Sequence, residues 1–187
     1  MWKDGMASLF VAIDLPDDVK NGVVALQPQP SRWVRPTRPD QMHLTLHYIG
    51  AGQIERFAAA LGGVRAPAFS LAVEGVGQFR SADGAVTLWA GVRESAELRK
   101  LHSLVGTALS REGFRPEARP YTPHITLARC DAALAGNEVD GFLERHGTFA
   151  LSAVAITSFS LYSSEFASGP PTYHAEHTFS LQNNHRP

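Results

Sequence analysis

The sequence predicts an α+β fold of two pseudo-symmetric lobes, each an antiparallel sheet with helices on its outer face, around a central cleft. Three observations carry this. The chain repeats the order strand, helix, proline- and arginine-bearing loop, strand. Each round ends in the same short pattern, His-x-Thr-Leu, at 43–46 and at 124–127. The two histidines lie 81 residues apart (124 − 43), a spacing suited to a duplicated unit. The 187 residues are therefore expected to form a single domain, 1–187, of two lobes.

Leu9-Phe10-Val11-Ala12-Ile13 sits in an apolar run from Ala7 to Leu15, as expected of a strand buried on both faces. Pro16-Asp17-Asp18 opens a helix, with acids at the positive end of its dipole, that runs to about Gln27. Four prolines between Pro28 and Pro39 make the next stretch a loop, carrying Arg32, Trp33, Arg35 and Arg38. A second strand, Met42 to Ile49, is stopped by Gly50, and a helix from Gln53 to Leu61 ends at Gly62-Gly63. Phe69–Phe79 and Ala85–Val92 read as strands joined at Asp83-Gly84, a strong hairpin signal. Ser95 caps a helix to Arg111, striped by Leu98, Leu101, Val105 and Leu109. A second loop carries Arg115 and Arg119 into the strand 123–130. A weaker, partly helical stretch (131–146) follows, then strands at 148–162 and 173–181 around a Gly169-Pro170-Pro171 turn.

Composition narrows the function. The formal net charge is −1, so no global basic field draws in long nucleic acid. A nucleic-acid ligand must be short or held by local arginines. The single cysteine, Cys130, cannot form a disulfide within the chain, which fits a reducing compartment. No apolar run reaches membrane-spanning length and no signal peptide is apparent, so a cytoplasmic protein with no membrane partner is expected. The two lobes supply their own twofold, so a monomer is expected.

The chemistry lies in the two motifs. Side chains alternate along a strand, so His43 and Thr45 share a face, as do His124 and Thr126. Leucine and isoleucine back them on the other. Two histidines facing one cleft suit phosphodiester chemistry. One imidazole takes a proton from the attacking oxygen and the other gives one to the leaving oxygen, and both ionise near neutral pH. The threonine hydroxyls can donate to the non-bridging oxygens. No metal and no other cofactor is required, and one good ligand per strand is poor for metal binding. His47 lies on the His43 face by strict alternation, where it touches substrate or caps the strand end. Strict alternation sends Arg129 to the face opposite His124 unless the strand bends. Trp33 is placed to stack on a base or to pack. His174 and His177, three apart, are expected on opposite faces; His102 in the striped helix reads as structural.

Three sets of residues resemble the two-histidine phosphoesterases, specifically the RNA 2′,3′-cyclic phosphodiesterases, also called 2′-5′ RNA ligase-like proteins. They are Leu9–Pro16; His43-Leu44-Thr45-Leu46 with Ile49-Gly50; and Tyr121-Thr122-Pro123-His124-Ile125-Thr126-Leu127-Ala128-Arg129. Phe159–Ser164, followed by Gly169 and Tyr173, extends the resemblance, which runs from about Leu9 to Leu181. It implies opening of a terminal 2′,3′-cyclic phosphate on RNA ends or small cyclic nucleotides to leave a 2′-phosphate. In that reading His43 is the proton donor, His124 the proton acceptor, and Thr45, Thr126 and Arg129 bind the phosphate. Two alternatives stand beside it: 2′-5′ RNA ligation as the main activity, or a non-catalytic RNA- or nucleotide-binding module.

Overall fold

The computed structural model describes residues 6–134, 136–165 and 171–182. In chain order the elements are β1 (Met6–Asp14), α1 (Asp17–Val24), β2 (Val34–Pro36), β3 (His43–Gln53), α2 (Ile54–Leu61), β4 (Phe69–Leu71) and β5 (Val73–Arg80). There follow β6 (Val86–Val92), α3 (Ala96–Arg111), β7 (His124–Cys130), α4 (Gly136–His146), β8 (Val154–Ile156), β9 (Ser158–Glu165) and β10 (Thr172–Ser180). The apolar run of β1 is buried on both faces, with Leu9, Val11, Ala12 and Ile13 wholly inaccessible. In α3 the Ser95 hydroxyl accepts the Leu98 N–H, and Leu98, Leu101, Val105 and Leu109 turn into the core. The expected strand at 69–79 is divided: β4 leaves the main sheet to pair with β8 in a separate ribbon. Gly50 does not stop β3. It takes φ +83 within a strand that runs on to Gln53. Gly169 and Pro170 of the expected turn lie outside the described residues.

The antiparallel strands order as β10-β9-β1-β3-β7-β6-β5, with β2 added alongside β7. The two lobe sheets are therefore continuous, meeting between β3 and β7 at the pair Leu44↔Ile125. The halves also exchange chain. β2 comes from the first repeat but pairs with β7, while β9 and β10 follow the second repeat but extend the first. One contiguous core serves both, which fits a single cooperative unit.

The internal repeat holds at the level of register. In the first half Ala12, Ile13 and Asp14 pair with Thr45, Leu44 and His43. In the second half Trp89, Ala90 and Gly91 pair with Thr126, Ile125 and His124. Both registers then slip by one residue at the same place. Val11 pairs with His47, passing over Leu46, and Leu88 pairs with Ala128, passing over Leu127. Each half thus carries a β-bulge directly after its His-x-Thr.

Candidate active site

Leu44 and Ile125 are wholly buried, which turns their neighbours to the opposite face of the sheet. Extending the register at that pair by one residue sets His43 beside Thr126 and Thr45 beside His124. The four polar side chains form a two-by-two array with the imidazoles on one diagonal. Diagonal partners in such an array stand about 7–8 Å apart, room for a tetrahedral anion between them. His43 Nδ1 lies 2.8 Å from the Gln41 carbonyl, and His124 Nδ1 lies 2.7 Å from the Thr122 carbonyl. A carbonyl only accepts, so each Nδ1 carries its hydrogen and each Nε2 is the atom free for proton transfer.

The two rings sit in different surroundings. His43 is lined by Phe10, Tyr162 and Tyr173, with centroids 4.8, 6.4 and 5.3 Å away. Burial holds its pKa down at about 4. The Gln41 carbonyl opposes that, the His124 charge adds to it, and Asp14 opposes it. His124 packs on Phe79 at 4.8 Å and Trp89 at 6.1 Å. Its pKa is also lowered, by burial first; the Thr122 carbonyl works against this, while Arg119 and Arg129 push it further down. Asp14 stands opposite His43 in the register, where the second half has Gly91 opposite His124. A side chain at 91 would collide with the Glu74 carbonyl, so that position takes no carboxylate.

The paired bulges correct two expectations. Passing over Leu127 reverses the alternation, so Ala128 is buried and Arg129 emerges exposed on the His124 face. The same reversal takes His47 away from the His43 face. It is buried against α3, its ring stacked on His102 at 4.1 Å and its Nε2 2.8 Å from the His102 carbonyl. It neither faces the cleft nor caps a strand end. Tyr48 takes the position matching Arg129 and is the one large exposed apolar side chain among the described residues. Aligning the two motifs residue by residue identifies it from sequence alone.

Tyr121 heads the second motif in the sequence, which gave it no role. Its hydroxyl donates to the Thr45 carbonyl at 3.0 Å, and its ring stacks on His102 at 3.9 Å. The column His47–His102–Tyr121 therefore ties α3 to the strand that bears His43. Trp33 is half-buried just before β2, with the Arg32 guanidinium 4.5 Å over its ring. Arg38 and Arg119 pair with Asp40 and Glu117. A further slip between Ala175 and His177 sets His174 and His177 opposite Ser163 and Leu161, hence on one face rather than two. Among the described residues no three His, Cys, Asp or Glu side chains converge as a metal site, and no helix is long and apolar enough to cross a membrane.

A mostly antiparallel sheet carrying two His-x-Thr strands at its centre defines a class of protein, and comparison identifies it. Residues 15–164 match the 2′-5′ RNA ligase superfamily, and the chain belongs to that superfamily. It is 30% identical over 171 residues to the RNA 2′,3′-cyclic phosphodiesterase of Escherichia coli, spanning 88% of this chain and 91% of that one. Among solved structures it resembles E. coli LigT complexed with 3′-AMP (TM-score 0.75, 28% identity, 94% of this chain and 98% of that one). It also resembles TT0787 of Thermus thermophilus (TM-score 0.76, 26% identity, 95% and 100%).

Proposed function

We propose that the protein hydrolyses the terminal 2′,3′-cyclic phosphate of RNA, or of a small cyclic nucleotide, to a 2′-phosphomonoester. The diagonal pair of imidazoles, each with Nδ1 fixed by a carbonyl and Nε2 free, carries the proposal. His124 Nε2 takes a proton from water as its oxygen bonds to phosphorus. The P–O3′ bond breaks, and the proton on His43 Nε2 passes to O3′. Thr45 and Thr126 donate to the non-bridging oxygens as charge gathers there.

The surroundings support this assignment of roles. Asp14 favours the charged form of His43, as a general acid needs, against burial and the charges of His124 and of Lys20, its own ion-pair partner, while Arg119 and Arg129 favour the neutral form of His124, as a base needs. Burial keeps His43 mostly neutral in the free protein. The arriving phosphate anion, beside both rings, raises its pKa and loads the proton with the substrate. The test is turnover of an oligoribonucleotide 2′,3′-cyclic phosphate in excess EDTA, with the product located by phosphorus NMR. The expected result is an undiminished rate and a 2′-phosphate. A 3′-phosphate product or loss of turnover in EDTA overturns the scheme.

A further inference from the structure

β2 is three residues long and ends in a proline, yet it is pinned to β7 from both ends. Thr37 N–H donates to the carbonyl of Leu127, the bulge residue, at 2.8 Å, and the Gln27 amide reaches that carbonyl at 2.8 Å and the Thr37 carbonyl at 2.6 Å. Beyond the other end, Asp131 N–H donates to the Trp33 carbonyl at 2.8 Å. What this strand sets in place is Arg35, directly opposite Arg129.

Like charges in a cross-strand pair stand about 4.5–5.5 Å apart at Cβ and destabilise the sheet. Here neither arginine has an acidic partner among the described residues. The two flank a groove of about 420 Å³ that Arg80 and Arg119 also line. Its two carboxylates form no ion pair with either arginine and bond to neutral donors instead: Asp83 accepts from the Ser81 hydroxyl and the Ala85 N–H, and Asp131 from the Ala133 N–H. The fold thus sets two guanidiniums side by side with no ion pair of their own among the described residues, an arrangement that an anionic ligand would stabilise.

We infer that this groove is a second phosphate subsite, which takes an internal phosphodiester of the RNA whose cyclic end lies between His43 and His124. The inference rests on the cyclic phosphodiesterase reading and extends it to a preference for oligonucleotides over mononucleotides. The bulge puts Arg129 on the His124 face, and Phe79, whose ring packs on His124 at 4.8 Å, also lines the groove, so groove and cleft adjoin. Five residues of strand separate His124 from Arg129, up to roughly 16 Å of backbone. That length of strand lets an RNA chain lay its cyclic end between the histidines and its next phosphate against Arg35, beside Arg129.

The test uses Arg35→Gln, an exposed position whose change leaves the core intact, and Arg99→Gln as a control that loses a charge on α3, outside the groove lining. Binding of a 5′-labelled tetraribonucleotide 2′-phosphate is measured over a salt series, and turnover of a mononucleoside 2′,3′-cyclic phosphate is measured separately. Arg35→Gln is expected to weaken tetranucleotide binding about tenfold at low salt and to flatten the slope of log affinity against log salt by about 0.7, the value for one phosphate contact on a single strand. Mononucleotide turnover and the control stay at wild-type values. An unchanged slope in Arg35→Gln, or an equal loss with mononucleotide, overturns the subsite. If the wild-type protein turns over no cyclic phosphate, the catalytic reading fails by itself, and the binding series still decides the groove.

Discussion

The two halves of the site share a backbone and differ in nearly everything around it. His43 and His124 occupy the same register position, are followed by the same bulge, and bond through Nδ1 to the carbonyl two residues before. Around that frame Asp14 corresponds to Gly91, Ala12 to Trp89, His47 to Ala128, and Tyr48 to Arg129. Symmetry of the backbone sets the two imidazoles on one diagonal of the sheet. Asymmetry of the neighbours gives the first half a carboxylate, paired with Lys20, and the second half Arg119 and Arg129. A pair with identical surroundings would share its proton evenly; in the proposed scheme the unequal neighbours let one ring donate and the other accept.

The largest expected effect comes from removing either ring. His43→Ala or His124→Ala should each lower kcat by about 10²–10⁴, the usual range for a positioned acid or base, in single-turnover assays on a cyclic phosphate. Thr45→Val and Thr126→Val keep the shape and remove one donor each, with an expected loss in kcat of about 10²–10³ and little change in KM. Asp14→Asn breaks the asymmetry directly. Removing the carboxylate that favours His43 imidazolium should move the alkaline limb of the bell-shaped rate profile to lower pH and leave the acidic limb in place. Equal displacement of both limbs would contradict the division of roles.

Stability should respond more gently. His43 is held neutral by burial, its pKa at about 4 when folded against 6.5 for the free ring. Between those values the unfolded chain binds more protons than the folded one, so the stability is fully present above about 6.5 and declines as pH falls toward 4. His47 and His102, both shifted downward chiefly by burial, act in the same direction. Urea melts across that window measure the decline. Gly106→Ala tests the packing beneath the site, since a Cβ there would lie 3.0 Å from His47 Nε2. A cost of about 1–3 kcal/mol is expected.

Much of this arrangement was legible in the sequence, and for identifiable reasons. The His-x-Thr-Leu pairs were visible because a strand's period of two fixes which side chains share a face over a short span. The helix α3 was visible because Ser95 caps it and four leucine or valine side chains stripe it. The faces of His47, Arg129 and His177 were misread for one reason: a bulge inserts one residue and inverts every assignment beyond it. Nothing in Leu46-His47 or Leu127-Ala128 announces that insertion, although the repeat itself aligned Tyr48 with Arg129. β2 escaped notice because three residues ending in Pro36 carry no periodicity, and its partner lies in the other repeat. The continuity of the sheet rests on the single pair Leu44↔Ile125, a contact between residues far apart in sequence.

The central claim is that His43 and His124 act as one unit on a single phosphate, and a double-mutant cycle tests it most directly. Residues that act as a unit are strongly non-additive, since removing one leaves the other without its task. Measured as kcat on an oligoribonucleotide 2′,3′-cyclic phosphate, His43→Ala/His124→Ala should be about as slow as the slower single variant. Losses that multiply, or wild-type activity in either single variant, would contradict the account.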